Sequence, residues 1–458
     1  MALSPLGYNM KRMELLSPAG TLKSMRYAFA YGADAVYAGL PRYSLRARNN
    51  EFNLSNIKTG INEAQALRKK FFVVSNIYPH NSKVKTFIKD ISPIIALQPD
   101  AFIMSDPGLI MMVKDQWPDT EIHLSVQSNV VNYASVKFWQ RMGITRIILS
   151  RELSLEQIEE IRQLCPDIEL EVFVHGALCM AYSGRCMLSG YINHRDANQG
   201  VCTNACRWKY TSQSAKSDEW GNINTETEQK DCCSAKAGVD DMILLQETGR
   251  PNKPSISMQE DEHGTYLLNS KDLRAIHHVE KLVKIGIDCI KIEGRTKSHF
   301  YVARTAQLYR QAIDDAQAGR PFNIDLMDKL EGLSSRGYTE GLLRRHVFDE
   351  YQNYETGNST SDKQKFVAEV IECHDDKGFV TVDVKNHFEV GDKLELMSPT
   401  GNAIWTLDAM QDKDNREIHT ARGSGMTVKI QLPDNIKGEK GLIMRFIDLP
   451  ISNQQAIT

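Results

Sequence analysis

Eight short apolar runs, each followed by a segment in which apolar residues recur at helical spacing, extend through the first 320 residues of the chain. Strands that alternate with helices in this way are typical of parallel βα units rather than of hairpins. Eight such units predict an α/β fold with a closed (β/α)8 barrel of the TIM type, although an open doubly wound sheet gives a similar local pattern. The predicted strands are 14–17, 33–38, 71–77, 101–105, 121–126, 146–150, 169–174 and 288–292.

The segments between these runs have the features of packed helices. Ile57, Ile61 and Ala64 recur at helical spacing before the third strand, so one face of that helix is apolar. Ser154 lies three residues before Gln157, which is a capping-box pattern at the start of a helix. Because catalytic groups of such barrels lie on loops at the carboxyl ends of the strands, the residues that follow each strand are the first candidates for a site.

One connection breaks this rhythm. About 95 residues separate the seventh strand from a helix that is predicted to begin near Lys271, whereas such connections usually have roughly two to six residues. An insertion of this length, about 176–270, usually carries function. Its middle, 211–254, is polar and rich in Ser, Asn, Glu and Lys, which predicts a flexible excursion.

The period of the pattern changes after the last barrel helix, 297–318. The barrel with its insertion is assigned to 13–320, and a helical linker is predicted over 321–364. From Phe366 onward, short alternating runs such as FVAEVIEC, GFVTVDV and DKLELM follow one another, separated by turn residues. They predict a small C-terminal antiparallel β-barrel over 365–450.

The composition excludes several classes of protein. With 458 residues, of which 41% are hydrophobic and 25% charged, the chain resembles a soluble globular protein. No apolar run reaches the roughly 20 residues of a membrane span. The start of the chain lacks the apolar core of a signal peptide, so no membrane association and a cytoplasmic location are expected. A net charge of −3 gives little long-range attraction to phosphates, so a nucleic-acid site requires a local basic patch.

Four of the nine cysteines fall within 28 residues of the insertion: Cys179, Cys186, Cys202 and Cys206. In a reducing compartment, an odd number of cysteines argues against a disulfide framework and for metal binding or catalysis where they cluster. Structural zinc sites show paired C-x(2–4)-C knuckles, and only Cys202 and Cys206 resemble one, whereas iron–sulfur clusters accept ligands from scattered loop positions. The spacing therefore favours a cluster over structural zinc or reduced core thiols. Three other cysteines lie in helix or strand patterns and are predicted to be core thiols: Cys165, Cys289 and Cys373.

A family resemblance is carried by the run EVFVHGALCMAYSGRCMLSGYINHRDANQGVCTNACRWKY, by ELLSPAG near the start and by IKIEGRTKS at the eighth strand. These motifs resemble peptidase family U32, the collagenase-like family. The likeness runs from about Met13 to Phe446 and includes YSLRARNNEF, HLSVQSN, NSKDLRAI and RGYTEGLLRRH. The most similar branch of the family implies an iron–sulfur protein that forms 5-hydroxyuridine at the wobble position of tRNA, with prephenate as cosubstrate.

The resemblance also implies which thiols hold the cluster, a 4Fe-4S cluster in this family. Three positions match the family's ligands: Cys179, Cys186 and Cys202. Other branches have a cysteine at the position of Arg274, which this sequence lacks. Cys206 is therefore the candidate for the fourth ligand, with Cys232 and Cys233 as competitors.

Charged residues that follow the strands are candidates for proton transfer and for binding of the acid. His175 follows the seventh strand and Glu293 the eighth, so both are candidate catalytic residues. Arg295 lies where barrels often bind phosphate or carboxylate. Prephenate, the implied cosubstrate, carries two carboxylates, which guanidinium groups bind through paired hydrogen bonds. The other candidate substrate-binding residues are Arg46, Arg48, Arg151 and Arg185. A solvated surface charge is the alternative for each arginine, and a hydrogen-bonded loop histidine for His175.

The implied partner is the anticodon loop of a tRNA, whose bases are already unpaired and cost little to extrude. Basic residues in RARNNEF and LLRRH, and the terminal β-domain, are weak candidates for RNA contacts. Two other functions stay open: a thiol peptidase that uses Cys179 with His175, and a non-catalytic subunit that delivers tRNA to another enzyme. Neither G-x-S-x-G nor H-E-x-x-H occurs in the sequence to support a peptidase.

Overall fold

The structure is a computed structural model of the chain. It describes residues 12–39, 42–44, 51–178, 271–333, 335, 337–344, 363–374, 379–423, 425–433 and 437–447, and between 178 and 271 the backbone of seven short strands. The chain divides into two compact units. One consists of Met1–Val174, Ile276–Leu333 and Ser361–Thr458, and the other of His175–Ala275 and Ser334–Thr360. Within the described ranges, every helix is too short or too polar to cross a lipid bilayer.

The first unit contains a parallel barrel of eight strands. They are β1 (Glu14–Pro18), β2 (Ala35–Gly39), β3 (Lys70–Ser75), β4 (Ala101–Met104), β5 (Ile122–Leu124), β6 (Arg146–Ile148), β7 (Glu169–Ala177) and β8 (Cys289–Ile292). The strands pair in chain order, and β8 pairs with both β1 and β7, which closes the sheet. All eight predicted strands and the closed barrel are therefore confirmed, and the open sheet is excluded.

Helices alternate with the strands. They are α1 (Leu22–Ala30), α2 (Leu54–Ala66), α3 (Asn81–Ile95), α4 (Pro107–Gln116), α5 (Tyr133–Arg141), α6 (Leu155–Leu164), α7 (Val279–Ile285), α8 (His299–Gln317) and α9 (Asp325–Glu331). The side chains of Ser154 and Gln157 form the predicted capping box at the start of α6. In α2 the predicted apolar face is buried, including Ile57, Ile61 and Ala64. These local signals fix where the helices begin and which face contacts the strands.

The second unit begins where β7 continues beyond the barrel. The strand Asp272–Arg274 pairs antiparallel with the last three residues of β7 and parallel with the strand Tyr338–Thr339. The prediction of a helix that begins near Lys271 is therefore wrong. The chain makes backbone hydrogen bonds to β7 there, and the helix α7 begins only at Val279.

The insertion contains more regular structure than its composition indicates. A five-stranded antiparallel sheet is formed by Tyr210–Ser217, Ile223–Thr225, Met242–Glu247, Ile256–Asp261 and Gly264–Leu267. Three of these strands fall within the stretch that was predicted to be a flexible excursion, so that prediction is wrong for them. Strand pairing satisfies backbone donors and acceptors, and it does so here for a strand as polar as YTSQSAKS.

The chain ends in an antiparallel sheet domain, as predicted. The described part of the predicted linker contains the helix α9 and the short strand Tyr338–Thr339, and 345–362 lie outside the described residues. Seven strands then pair in the order Ala403–Thr406, Lys393–Met397, Leu442–Phe446, Gln364–Cys373, Phe379–Val384, Thr427–Gln431 and Met410–Gln411. Alternate residues such as Val380, Val382 and Val384 face one apolar core, which explains the period of two in the sequence. The sheet resembles a half-barrel.

The C-terminal domain packs against α1 and α8 within the same compact unit. Arg304 of α8 donates two hydrogen bonds to the carboxylate of Glu395, at 3.0 and 3.2 Å, and both side chains are buried. The amide of Gln364 donates to the same carboxylate at 2.7 Å. The hydroxyl of Tyr31 donates to the carbonyls of Met397 and Lys440. Buried polar contacts of this kind fix the orientation of the domain on the barrel.

Glu369 is a second buried carboxylate, besides Glu395, that joins the C-terminal domain to the barrel helices. Its carboxylate accepts hydrogen bonds from Tyr27 of α1 at 2.8 Å and from Lys23 at 2.6 Å, and lies 3.3 Å from the imidazole of His299. Burial alone would raise the pKa of Glu369, but His299, Lys23 and Tyr27 together outweigh it and lower the pKa to about 2. The carboxylate is therefore ionised at physiological pH and holds the two helices and the sheet together.

Candidate functional site

Buried ion pairs fill the interior of the barrel. Lys291 of β8 donates a hydrogen bond to Glu171 of β7 at 2.9 Å, and its ammonium group lies 4.4 Å from the ring centre of Tyr37. Nearer the amino ends of the strands, Arg146 donates to Glu14 at 2.6 Å. These four charged side chains are buried, so the barrel encloses a packed core and not a channel. Because barrels of this type carry their reactive groups at the carboxyl ends of the strands, the candidate site is sought there.

His123 of β5 belongs to this interior and is not a candidate proton carrier. Its ring packs edge-on against Phe72 with 4.7 Å between the ring centres. Burial lowers the pKa of His123 well below its usual range, and the nearby cations Arg146 and Lys291 lower it further. The imidazole is thus neutral at physiological pH.

Two of the three thiols that were predicted to lie in the core are buried, and the third is exposed. Cys165 and Cys289 are buried, as predicted, and burial raises the pKa of the Cys289 thiol well above its usual value. Cys373 is exposed, so that prediction is wrong. The reason is that the last three residues of the strand Gln364–Cys373 extend beyond the apolar core. The two buried thiols are structural.

The structure brings charged residues of the prediction together where β6 and β8 end. The Nη2 atom of Arg151, which follows β6, lies 3.5 Å from Oε2 of Glu293, which directly follows β8. The guanidinium carbon of Arg151 is 3.9 Å from the ring centre of Phe173. Glu293 and Arg295 have exposed fractions of only 8% and 6%. The guanidinium carbon of Arg295 lies 5.9 Å from the ring centre of Tyr37 of β2. The carboxyl ends of the barrel strands with their loops are called the mouth, and Arg151, Glu293 and Arg295 are called its charged half.

Two glycines allow the loop after β8 to present these side chains. A Cβ atom at Gly39 of β2 would lie 2.6 Å from Nη1 of Arg295 and 2.6 Å from Cβ of Ser44, so a larger residue there would have to displace the guanidinium or Ser44. Gly294 has a φ of +149°, and a Cβ atom there would lie 2.6 Å from the ring of Tyr301. The hydroxyl of Tyr301 in turn donates to the carbonyl of Glu293 at 2.8 Å. The positions of both charged groups therefore depend on this backbone geometry.

Neutral polar side chains follow the neighbouring strands, and the sequence analysis missed them. The hydroxyl of Ser105 donates to the carbonyl of Asn76 at 3.1 Å, and the Asn76 amide donates to Ser125 at 3.4 Å. The hydroxyl of Ser150 donates to Oδ1 of Asn129 at 2.9 Å. These residues are called the neutral half of the mouth, and their bonds tie together the loops after β3, β4, β5 and β6. A signal was present in the sequence, because VVS, IMS, HLS and ILS place a serine at the end of each of these strands.

His175 lies in the second unit, on the extension of β7. It is 1% exposed, and its Cα is opposite Arg274 in the antiparallel pairing with the strand Asp272–Arg274. The ring centre of Tyr338 is 5.7 Å from that of His175 and 4.6 Å from the guanidinium carbon of Arg274. Arg274 is the position at which the resemblance implies a cysteine in other branches. That position therefore faces a residue that precedes Cys179 by only four.

The segment that contains the four clustered cysteines, 179–206, is called the cysteine segment, and the structure describes only part of it. The strand Arg185–Cys186 pairs antiparallel with Ala181–Tyr182, so that Cys186 is opposite Ala181, two residues along the chain from Cys179. Nothing is described of the side chains of Arg185 and Cys186. The other predicted site residues that lie outside the described residues are Arg46, Arg48, Cys179, Cys202, Cys206, Cys232 and Cys233. Their roles stay predictions.

Comparison with known proteins identifies the family. The sequence profile of peptidase family U32 matches residues 20–353, and the profile of the peptidase family U32 C-terminal domain matches residues 362–445. The chain belongs to peptidase family U32. The family resemblance that the cysteine motif predicted is confirmed. The two U32 profiles correspond to the barrel with its insertion and to the C-terminal sheet domain.

Named relatives of this U32 protein match it over most of its length. The tRNA hydroxylation protein P of Escherichia coli (strain K12) is 59% identical over 95% of this chain and 97% of that protein. The tRNA hydroxylation protein P of Haemophilus influenzae is 58% identical over 94% of this chain and 96% of that protein. The 23S rRNA 5-hydroxycytidine C2501 synthase of Escherichia coli (strain K12) is 30% identical over 83% of this chain and 50% of that protein.

Proposed function

We propose that this protein hydroxylates the wobble uridine of tRNA at carbon 5, with prephenate as cosubstrate and a 4Fe-4S cluster bound by the cysteine segment. The observation that carries this proposal is the 59% identity, over 95% of the chain, to a protein named for tRNA hydroxylation. A more distant relative is named as the synthase of a 5-hydroxylated pyrimidine in 23S rRNA, which supports the position of the hydroxyl. Uridine, prephenate and the cluster are supported by the motif resemblance and by the chemistry of the residues present.

The donor set fits an iron–sulfur cluster. Four thiolates are available within 28 residues, from Cys179, Cys186, Cys202 and Cys206. The chain enters this segment from the carboxyl end of β7, which is the end where barrels carry their chemistry. Because this chain has Arg274 at the position where the resemblance implies a cysteine in other branches, Cys206 is proposed as the fourth ligand, with Cys232 and Cys233 as the alternatives. When bound, the cluster would supply electron-transfer or Lewis-acid chemistry.

The charged half of the mouth fits a small acid. Arg151 and Arg295 offer two guanidinium groups on the loops after β6 and β8, and their exposed fractions are only 15% and 6%. Shielded guanidinium groups bind carboxylates more strongly than exposed ones, and prephenate carries two carboxylates. Glu293 lies 3.5 Å from Arg151 and is the carboxylate positioned to accept or return a proton. His175, at the end of β7, is the second candidate for proton transfer.

The neutral half of the mouth fits the base. Asn76, Ser125 and Asn129 offer amide and hydroxyl groups that donate and accept hydrogen bonds without a charge. The edge of a uracil presents the same kinds of groups, and enzymes that modify a base read an extruded base in this way. The two halves thus suit two different substrates, an anion and an uncharged base.

Nucleoside mass spectrometry of tRNA from a strain that lacks this protein tests the proposal. The expected result is loss of 5-hydroxyuridine and of nucleosides made from it, with recovery when the gene is restored. Anaerobically purified protein should also form 5-hydroxyuridine by itself when prephenate is supplied, which separates an enzyme from a delivery subunit. A normal level of 5-hydroxyuridine in the strain that lacks the protein, together with no 5-hydroxyuridine formed by the purified protein, would contradict the proposal. In that case, cleavage of denatured collagen tests the function for which the family is named.

Arg295→Ala should weaken the binding of prephenate by about 2 to 5 kcal/mol, because the variant lacks the buried guanidinium that is proposed to pair with a carboxylate of prephenate. The measurement is the dependence of 5-hydroxyuridine formation on prephenate concentration. Arg26→Ala is a matched control, since Arg26 is half-exposed and pairs with Glu63 away from the mouth. Equal prephenate dependence of the two variants would remove Arg295 from the site.

A further inference from the structure

The 30 residues from Ile122 to Arg151 contain no acidic residue, although about four would be expected from the 58 in the chain. They do contain four basic residues: Lys137, Arg141, Arg146 and Arg151. This acid-free segment starts in β5, forms part of the neutral half of the mouth, continues as α5 and returns through β6 to Arg151 in the charged half. Arg146 and Arg151 are bound to carboxylates of other segments, so Lys137 and Arg141 are the cations of this segment that lie on α5.

The helix of this segment, α5, is unusually exposed. Only Val136 is buried in α5, whereas the next helix, α6, buries Leu155, Ile158 and Ile161. The exposed fractions of Tyr133, Phe138 and Met142 in and beside α5 are 43%, 55% and 54%. Large apolar side chains exposed next to one another indicate a surface that another molecule covers.

The exposed side chains form two stripes along α5. Tyr133, Lys137 and Arg141 recur at intervals of four residues, so they share one face of the helix. The ammonium group of Lys137 lies 5.3 Å from the ring centre of Tyr133. Phe138 and Met142 form the neighbouring stripe at the same interval. In the part of the chain that the structure describes, neither Lys137 nor Arg141 is paired with a carboxylate.

The flanking helices set the limits of this surface. α6 carries Glu156, Glu159 and Glu160, and α4 carries Asp115. On the α4 side, the ammonium group of Lys114 donates to the carbonyls of Pro118 and Thr120 and is already engaged. A polyanion would therefore be repelled from α6 and held along α5 alone.

We propose that α5 is a docking surface for the tRNA itself, on which Lys137 and Arg141 bind backbone phosphates and Phe138 stacks on a base or packs on a ribose. This inference rests on the proposed function, because it places the body of the substrate whose base enters the mouth. Charge favours RNA over a protein partner, since basic and aromatic side chains alternate with no acid among them. The two cations are four residues apart, about 6 Å of helix rise, on the helix that follows directly from the neutral half of the mouth. RNA bound there would thus run from the mouth along the outside of the barrel.

The double variant Lys137→Glu/Arg141→Glu tests this surface in the full chain. Binding of a fluorescent tRNA transcript should weaken by tenfold or more at low salt. The slope of log Kd against log salt concentration should fall by roughly 1.5 to 2, because two phosphate contacts are lost. Phe138→Ala should weaken binding roughly fivefold or more and leave the salt slope unchanged, because stacking releases no counterions. Each substituted residue is exposed, so the melting temperature should not change.

Lys281→Glu and Lys284→Glu serve as matched controls, since both lysines lie on α7 and bind the carboxylates of Glu159 and Glu280. Their tRNA binding and salt slope should equal those of the unchanged protein. If the double variant binds tRNA as tightly as the controls do, the surface is elsewhere and this proposal is wrong, while the proposed function stands. If the unchanged protein does not bind tRNA, both are wrong. If light scattering shows that the double variant only changes the oligomeric state, the surface binds a second copy of the chain and the proposal is overturned.

Discussion

Replacing Cys179 or Cys186 by alanine is expected to abolish both the bound iron and the hydroxylation of tRNA. A 4Fe-4S cluster uses four thiolates, and loss of one leaves an iron without its protein ligand and open to solvent and oxygen. Iron content and colour are measured on anaerobically purified protein, and 5-hydroxyuridine is measured by mass spectrometry in tRNA treated with the same preparation.

The matched control is Cys373→Ala, because Cys373 is an exposed thiol on the C-terminal domain, far along the chain from the cysteine segment. It should retain iron and activity in full. Cys206→Ala and the pair Cys232→Ala and Cys233→Ala then identify the fourth ligand, since only the true ligand should lower the iron content. Hydroxylation that persists without iron would contradict the assigned role. A colourless protein with one equivalent of zinc would favour a structural zinc site instead.

The sequence was sufficient to predict the barrel because each of its strands is a local signal. A short apolar run with helical spacing on both sides identifies a strand without knowledge of its partners. The strand Asp272–Arg274 gives no such signal, because it is three residues long and has one apolar residue. Its partner is the end of β7, nearly one hundred residues earlier in the chain. Pairings of this kind are decided by backbone hydrogen bonds that form only in the folded chain.

The candidate site also has a part that local sequence signals predict and a part that only the folded chain reveals. Arg151, Glu293 and Arg295 could be predicted because they follow strands, and barrels place such residues at the mouth. The surface on α5 could not be predicted from a helical pattern alone, because the pattern does not say that only Val136 of this helix is buried. The absence of acidic residues from Ile122 to Arg151 was visible, but it acquires a meaning only when the exposure of Phe138 and Met142 is known.

A second large effect is expected at the contact between the barrel and the C-terminal domain, where Arg304→Ala should lower the free energy of unfolding by about 3 to 5 kcal/mol. The sequence does not reveal this contact, because Arg304 and Glu395 are 91 residues apart. Removal of the guanidinium would leave the carboxylate of Glu395 buried, with only the amides of Gln364 and Asn402 as partners among the described residues. An unpaired buried charge costs more than the ion pair contributes. Urea unfolding of the full chain, followed by circular dichroism, measures the effect.

Arg320→Ala is the matched control for this second prediction. Arg320 lies just beyond the end of α8 and pairs with Asp315, but its side chain is 58% exposed, so water screens the interaction. Loss of such an exposed pair should cost about 0 to 1 kcal/mol. The double variant Arg304→Met/Glu395→Leu should recover most of the stability lost in Arg304→Ala, because it removes both charges and restores apolar volume. If Arg304→Ala and Arg320→Ala destabilise the protein equally, the buried pair does not hold the domain on the barrel, and the polar centre at Glu369, with Tyr27, Lys23 and His299, has to carry the contact.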